Sequence, residues 1–201
     1  MSKMSKKKVI GITGSMGSGK SEISRYLRKK YPVLDCDQVN ADLLKKGNLG
    51  YQKLNDLHIV ELDSNGEIIK ESLASYMFSN VEHRKQVEAI LHPLIFDEMH
   101  KWIHEQESLI VFVEMPILFE ISAQEHFDSI WCVVADLDVA LSRLQTYRNF
   151  TRGQALARLV SQMNPEEKMA KSDIVLRNNS TVEQLHMQIE DALKEEKLNG
   201  D

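Results

Sequence analysis

Two cysteines, Cys36 and Cys132, are all that the 201 residues carry. Both stand in apolar, strand-like runs, so they read as small core residues of a reduced cytosolic protein, not as a disulfide framework or a metal site. No apolar run approaches the length of a transmembrane span, which excludes a helical membrane protein. Internal repeats and low-complexity segments are also missing. So is an excess of basic charge: the formal net charge is −5. Four lysines (Lys3, Lys6, Lys7 and Lys8) form a basic leader, and without them 21 basic side chains face 30 acidic ones. A body this acidic is ill suited to duplex nucleic acid, whose phosphates need a basic face. The leader has no apolar h-region, so residues 1–8 are expected to be a solvated disordered tail and not a signal peptide. What remains, 42% hydrophobic and 27% charged, fits one globular α/β unit with room for an insertion.

What is present is a phosphate-binding loop. Gly14-Ser15-Met16-Gly17-Ser18-Gly19-Lys20-Ser21 fits G-x-x-x-x-G-K-[ST]. It follows an apolar run, Val9-Ile10-Gly11-Ile12, and opens a helical pattern carrying Ile23, Tyr26 and Leu27. The order strand, loop, helix is what the chemistry needs. Gly14, Gly17 and Gly19 can take positive φ and bring backbone close to phosphate oxygens. Successive N–H groups converge on the anion, and the helix dipole adds to the attraction. Lys20 would reach the β- and γ-phosphates of a nucleoside triphosphate, and the Ser21 hydroxyl would hold Mg²⁺.

Further along, Tyr31 to Asp37 reads as a second strand with two carboxylates at its end, followed by a polar helix from Gln38 to Lys46. Residues 47–66 show no clear pattern. Lys70–Phe78 and Asn80–Gln106 are expected to be helical, the second with Val87, Ile90, Leu91, Leu94 and Ile95 on one face, interrupted by Pro93. Ser108–Glu114 and Ser129–Ala135 read as buried strands and Asp136–Arg148 as a helix. Thr151–Gln162 is a helix with Thr151 as its N-cap, Asp173–Leu176 a last strand and Thr181–Lys197 a closing helix. Strands alternating with helices predict a doubly wound α/β parallel sheet. The expected organisation is a single domain over 9–201: a core of about 9–46, 108–135 and 173–197, a helical substrate-binding insertion over about 47–107, and a lid over about 136–172. Four arginines, Arg143, Arg148, Arg152 and Arg158, fall in the lid, where cations can close over phosphates and exclude water. There is no Asn-Lys-x-Asp segment of a GTPase, and no Asp-Glu strand end with a basic track of a motor or helicase.

Five segments, in order, resemble the dephospho-CoA kinase family. They are Ile10–Ser21; Asp35-Cys36-Asp37; Phe78 through Arg84 to Ile90-Leu91-His92-Pro93-Leu94-Ile95; Pro116-Ile117-Leu118-Phe119-Glu120; and Gln154–Arg158 through Ser161-Gln162 to Asp173–Asn178. The resemblance implies a P-loop kinase with a helical lid that moves the γ-phosphate of Mg²⁺-ATP to the ribose 3′-hydroxyl of dephospho-coenzyme A. It makes Asp37 the base that takes the hydroxyl proton, the alternative being an N-cap, and leaves Asp35 structural. His92, Pro93 and Leu118 fall to the acceptor, although His92 could equally mark a satisfied helix kink. Glu114 falls to the metal or is a plain strand-end charge, and Asn178 lies near the adenine or is a turn residue.

Three positions depart from the family pattern: Ala41 and Tyr147 where arginines are usual, and Ser180 for a glycine. With Arg148 one place beyond Tyr147, Arg148 is expected to serve as the lid arginine and Tyr147 to pack against the core. A nucleoside monophosphate-type kinase and a degenerate nucleotide-binding paralogue remain as alternatives. The protein is expected to be a cytoplasmic monomer or weak homo-oligomer, with no nucleic acid or membrane partner.

Overall fold

The computed structural model describes residues 7–198, which form two compact units: residues 7–34 with 106–198, and 35–105. The first is built on a five-stranded sheet of order β2-β3-β1-β4-β5, with β1 Lys8–Gly14, β2 Val33–Asp35, β3 Ile110–Glu114, β4 Ser129–Val134 and β5 Ile174–Arg177. β1 pairs in parallel with β3 and β4, and β4 with β5. The order puts β3 between the loop strand β1 and β2.

Register decides which side chains share a face. Ile10 is level with Phe112, Ile12 with Trp131, and Val133 with Leu176. All six turn onto the helices α1 (Lys20–Leu27) and α9 (Val182–Leu198), where Ile23, Leu27, Leu185 and Ile189 complete a core of almost fully buried residues. Phe112 meets Trp131 edge-on at 5.2 Å between centroids. Strands buried on both faces need near-continuous apolar runs, which is why these strands are legible in the sequence.

Lys8, assigned by the sequence to a disordered leader, is instead the first residue of β1. Its Nζ lies 2.6 Å from Glu196 Oε2, and Glu196 also accepts the Trp131 indole N–H at 2.8 Å and the Ser129 hydroxyl. That buried carboxylate ties α9 to β1 and β4. Residues 1–6 of the expected leader lie outside the described residues.

After β4 come α6 (Leu137–Arg148), α7 (Arg152–Val160) and α8 (Pro165–Ala170). Thr151 caps α7 in a capping box with Gln154. The second unit is helical: α2 (Cys36–Leu43), α3 (Leu49–Asp56), α4 (Lys70–Ser79) and α5 (Val81–Glu105), with Leu62 and Ile68 bridging in between. Its core gathers Leu54, Ile59, Leu73, Val87 and Leu91. α5 runs through Pro93 instead of stopping there. No helix among the described residues is long and apolar enough to cross a membrane.

Candidate active site

The loop from Gly14 to Ser21 leaves the C-terminal end of β1 and enters α1. Gly14, Gly17 and Gly19 have φ of 146°, 77° and 100°, conformations that a side chain at these positions would strain. The loop is held by its carbonyls. Lys20 Nζ donates to the carbonyls of Gly14 (2.8 Å) and Ser15 (3.0 Å). Arg143, from α6, donates to those of Gly17 (3.3 Å) and Ser18 (3.4 Å). Asn178, just past β5, donates from Nδ2 to the Ser18 carbonyl at 2.9 Å and accepts from Arg143 at 3.1 Å. Asn178 is buried, and its amide joins the loop, through the Ser18 carbonyl, to Arg143 of α6. It is therefore a brace for the loop, a role beyond the place near the adenine or in a turn that the sequence suggested. Ser18 Oγ is buried with no hydrogen-bond partner among the described residues.

Glu114 ends β3, level with Ile12 of β1, and is buried. Its Oε2 accepts the Ser24 hydroxyl at 2.5 Å, which fixes the carboxylate to the first helix. Ser21 is exposed in the first turn of that helix. Leu118 does not fit its expected place at the acceptor. It is fully buried, and a Cβ on Gly11 would fall 2.9 Å from its Cδ1. It fills the space that Gly11 leaves bare and has no surface to offer a substrate.

The lid residues divide. Arg148 is the last residue of α6, exposed, and makes no ion pair with a described residue. Arg158 lies over the Phe150 ring at 4.7 Å, and Arg152 is 3.9 Å from Asp138. Tyr147 is 79% exposed and does not pack against the core as expected. α6 buries Ala140, Leu141 and Leu144, and Tyr147 continues that stripe, but the helix ends one residue later. Asn149 turns left-handed, and Phe150 folds back with its N–H on the Leu144 carbonyl at 3.3 Å. Phe150 thus covers Leu141 and Leu144 in place of Tyr147.

In the helical unit, Asp35 is the N-cap of α2, accepting from the amides of Asp37 (2.9 Å) and Gln38 (3.3 Å). Asp37 belongs to the first turn of that helix and not to a strand end. The capping role considered for Asp37 therefore falls to Asp35. His92 is half-buried within α5, and burial pushes its pKa down despite the opposing pull of Glu88. Pro93 beside it is exposed.

Three residues gain roles that the sequence did not suggest. Gln162 Oε1 accepts the Met16 amide of the loop at 2.9 Å. Lys168 is fully buried, with its ammonium on Glu120 Oε1 and on the Pro116 carbonyl, each at 2.8 Å. Ser24 holds Glu114. Beside the loop a cleft of about 400 Å³ is lined by Met16, Ser18, Val134, Leu137 and Leu159, among others. A braced glycine-rich loop at a helix N-terminus, next to a largely apolar cleft, suits a nucleotide.

The dephospho-CoA kinase family model matches residues 8–184. The chain belongs to the dephospho-CoA kinase family. A dephospho-CoA kinase of Streptococcus pyogenes is 36% identical over 189 residues, covering 92% of this chain and 96% of its own. Among solved structures, a Thermus thermophilus protein superposes with a TM-score of 0.83 at 32% identity, covering 94% of this chain and 98% of its own. Dephospho-CoA kinase from Campylobacter jejuni shares the fold, with a TM-score of 0.68 at 23% identity, covering 94% and 96%. The family fixes the class of the enzyme as a nucleotide-using kinase of P-loop α/β architecture.

Proposed function

We propose that this chain transfers the γ-phosphate of ATP to the ribose 3′-hydroxyl of dephospho-coenzyme A, giving coenzyme A and ADP. The observation that carries the reading is the braced loop Gly14–Ser21 in a chain matched to this family over residues 8–184. The 3′-oxygen attacks the γ-phosphorus in line as the bond to the β–γ bridging oxygen breaks. The hydroxyl proton passes to the Asp37 carboxylate, and ADP leaves. Phosphoryl transfer runs through a loose transition state, so orientation and charge stabilisation outweigh proton removal. Lys20 and the loop amides hold the β- and γ-phosphates. Arg148, at the end of α6, supplies a guanidinium to the transferring group.

Ser21 and Glu114 offer hard oxygen donors of the kind Mg²⁺ takes. When bound there, the ion would neutralise charge on the phosphates. The helices of residues 35–105 are assigned to the acceptor, with His92 and Pro93 among the contacts, and α6–α8 to the lid. The protein is assigned to the cytoplasm as a monomer or weak homo-oligomer. A coupled assay of ADP release tests the reading. Turnover that requires dephospho-coenzyme A is expected, whereas turnover on nucleoside monophosphates, or binding without turnover, would replace it.

A further inference from the structure

Gln162 lies two residues beyond the end of α7, in the short connection to α8. Three ties make that connection a fixed part of the site. Gln162 Oε1 holds the Met16 amide at 2.9 Å. The next residue, Met163, donates its amide to Glu120 Oε1 at 3.2 Å, the oxygen that the buried Lys168 ammonium also contacts at 2.8 Å. Asn164 then caps α8 through the Glu166 amide at 2.8 Å. A buried cation thus anchors the carboxylate that anchors the segment carrying Gln162.

A primary amide has one acceptor and two donors on the same planar group. The acceptor of Gln162 is spent on the loop. Its Nε2 has no hydrogen-bond partner among the described residues, and the side chain lines the cleft beside the loop with Ser15, Met16 and Ser18. Met16 stands at a particular end of that loop. In a P-loop the lysine reaches the β- and γ-phosphates while amides nearer the helix cradle the α- and β-phosphates. Lys20 Nζ lies on the carbonyls of Gly14 and Ser15, directly before Met16. The Gly14–Met16 end is therefore the end of the terminal phosphate, and a pair of N–H donors is held there by an oxygen already engaged.

We propose that Gln162 reads the terminal phosphate of the donor nucleotide: its Oε1 fixes the loop at Met16 while its Nε2 donates to a γ-phosphoryl oxygen. The inference rests on the phosphate-binding reading of the loop. It gives the enzyme a contact that exists with a triphosphate and not with a diphosphate, and it links the lid segment to the state of the nucleotide. A charge-assisted hydrogen bond of this kind corresponds to at least about tenfold in affinity.

The test uses Gln162→Glu, which keeps the shape and the acceptor for the Met16 amide but replaces the donors by a negatively charged acceptor. Affinities for ADP and for a non-hydrolysable β,γ-imido ATP are measured by calorimetry on wild type and variant, alongside the melting temperature. The expected result is an unchanged melting temperature, near-normal ADP affinity, and about tenfold or greater loss for the triphosphate analogue. An unchanged ratio of the two affinities overturns the proposal, because a carboxylate within reach of the terminal phosphate would disfavour the triphosphate relative to the diphosphate. If the variant melts early, the wild-type side-chain amide resonances of Gln162 decide: a shift with the triphosphate analogue but not with ADP supports the contact, and equal responses overturn it. If the wild type binds neither nucleotide, the loop reading itself fails and the inference falls with it.

Discussion

Replacing Gly19 with alanine would put a Cβ 2.0 Å from Asn178 Nδ2 and 3.3 Å from its Cγ, at a residue whose φ is 100°. Two costs follow, and they can be separated. A side chain in a left-handed conformation costs about 1–2 kcal/mol whatever surrounds it. The contact at 2.0 Å is untenable, so the Asn178 amide must leave, breaking its bond to the Ser18 carbonyl and its bond from Arg143. One neutral and one charge-assisted bond together contribute about 2–4 kcal/mol. The sum, roughly 3–6 kcal/mol, corresponds to a fall in melting temperature of roughly 6–24 °C for a chain of this size.

A double-mutant cycle isolates the steric part. In an Asn178→Ala background the contact is gone, so Gly19→Ala should cost only the backbone term of about 1–2 kcal/mol. The coupling energy between the two positions is then about 2–4 kcal/mol. Thermal unfolding of the four proteins supplies it, and ATP titration shows whether the loop still binds. If the two substitutions add within about 0.5 kcal/mol, the idea that a side chain at position 19 would displace the Asn178 brace is refuted.

Lys20→Ala should preserve the fold and lower turnover by about two to three decades, since it removes a preorganised cation from developing charge; unchanged turnover at saturating Mg²⁺-ATP would remove Lys20 from the chemistry. Asp37→Asn should lower turnover at constant ATP affinity, whereas Asp35→Ala, losing the cap of α2, should cost about 0.5–2 kcal/mol of stability and little turnover; a reversed pattern exchanges the two roles. Arg148→Ala should cut turnover roughly a hundredfold while Tyr147→Phe, on a side chain 79% exposed, should be silent; a crippled Arg152→Ala beside a normal Arg148→Ala would move the lid cation. Burial raises the Glu196 pKa, but the bonds from Lys8, Ser129 and Trp131 outweigh it, so the folded value lies below the ordinary 4.5. The stability that Glu196 contributes is therefore present above pH 4.5 and lost as pH falls through its folded value. Lys8→Met should cost about 3–5 kcal/mol near neutrality and weaken that acid-side dependence, which melting curves from pH 3 to 7 will record.

The loop and the sheet were readable because each has a short-range signature. Five residues of buried strand require an apolar run, and a loop that wraps an anion requires glycines at fixed spacing. α8 carried a signature too, with Asn164 as cap, Pro165 in the first turn and Glu166 and Glu167 after it. Its six residues are too few to show a periodic apolar face. Other features depend on partners far away in sequence. Lys168 stands in a Glu-Glu-Lys stretch that looks solvated, and only Glu120 and Pro116, brought in from the end of β3, allow its burial. Tyr147 was assigned to the core because it stands where the family has an arginine and Arg148 follows it, and that comparison could not show that the chain would turn at Asn149 and send Phe150 back to cover Leu141 and Leu144 instead.

The long-range partners also explain how a chain of small residues keeps one shape. A peptide has its N–H and C=O on opposite sides, so fixing a carbonyl fixes where the amide points. Donors from three places hold the loop carbonyls: Lys20 from α1 takes Gly14 and Ser15, Arg143 from α6 takes Gly17 and Ser18, and Asn178 after β5 takes Ser18 again. Two of the three donors are cations, whose bonds are the stronger kind. Flipping a peptide would therefore break a charge-assisted bond to gain nothing. Glycine supplies the conformations, and the braces choose among them. This is preorganisation in its electrostatic sense: the cost of turning the loop dipoles is met in folding, before a phosphate arrives. It follows that Arg143, although it faces the loop carbonyls and not the cleft, should influence phosphate affinity as strongly as a residue that touches phosphate.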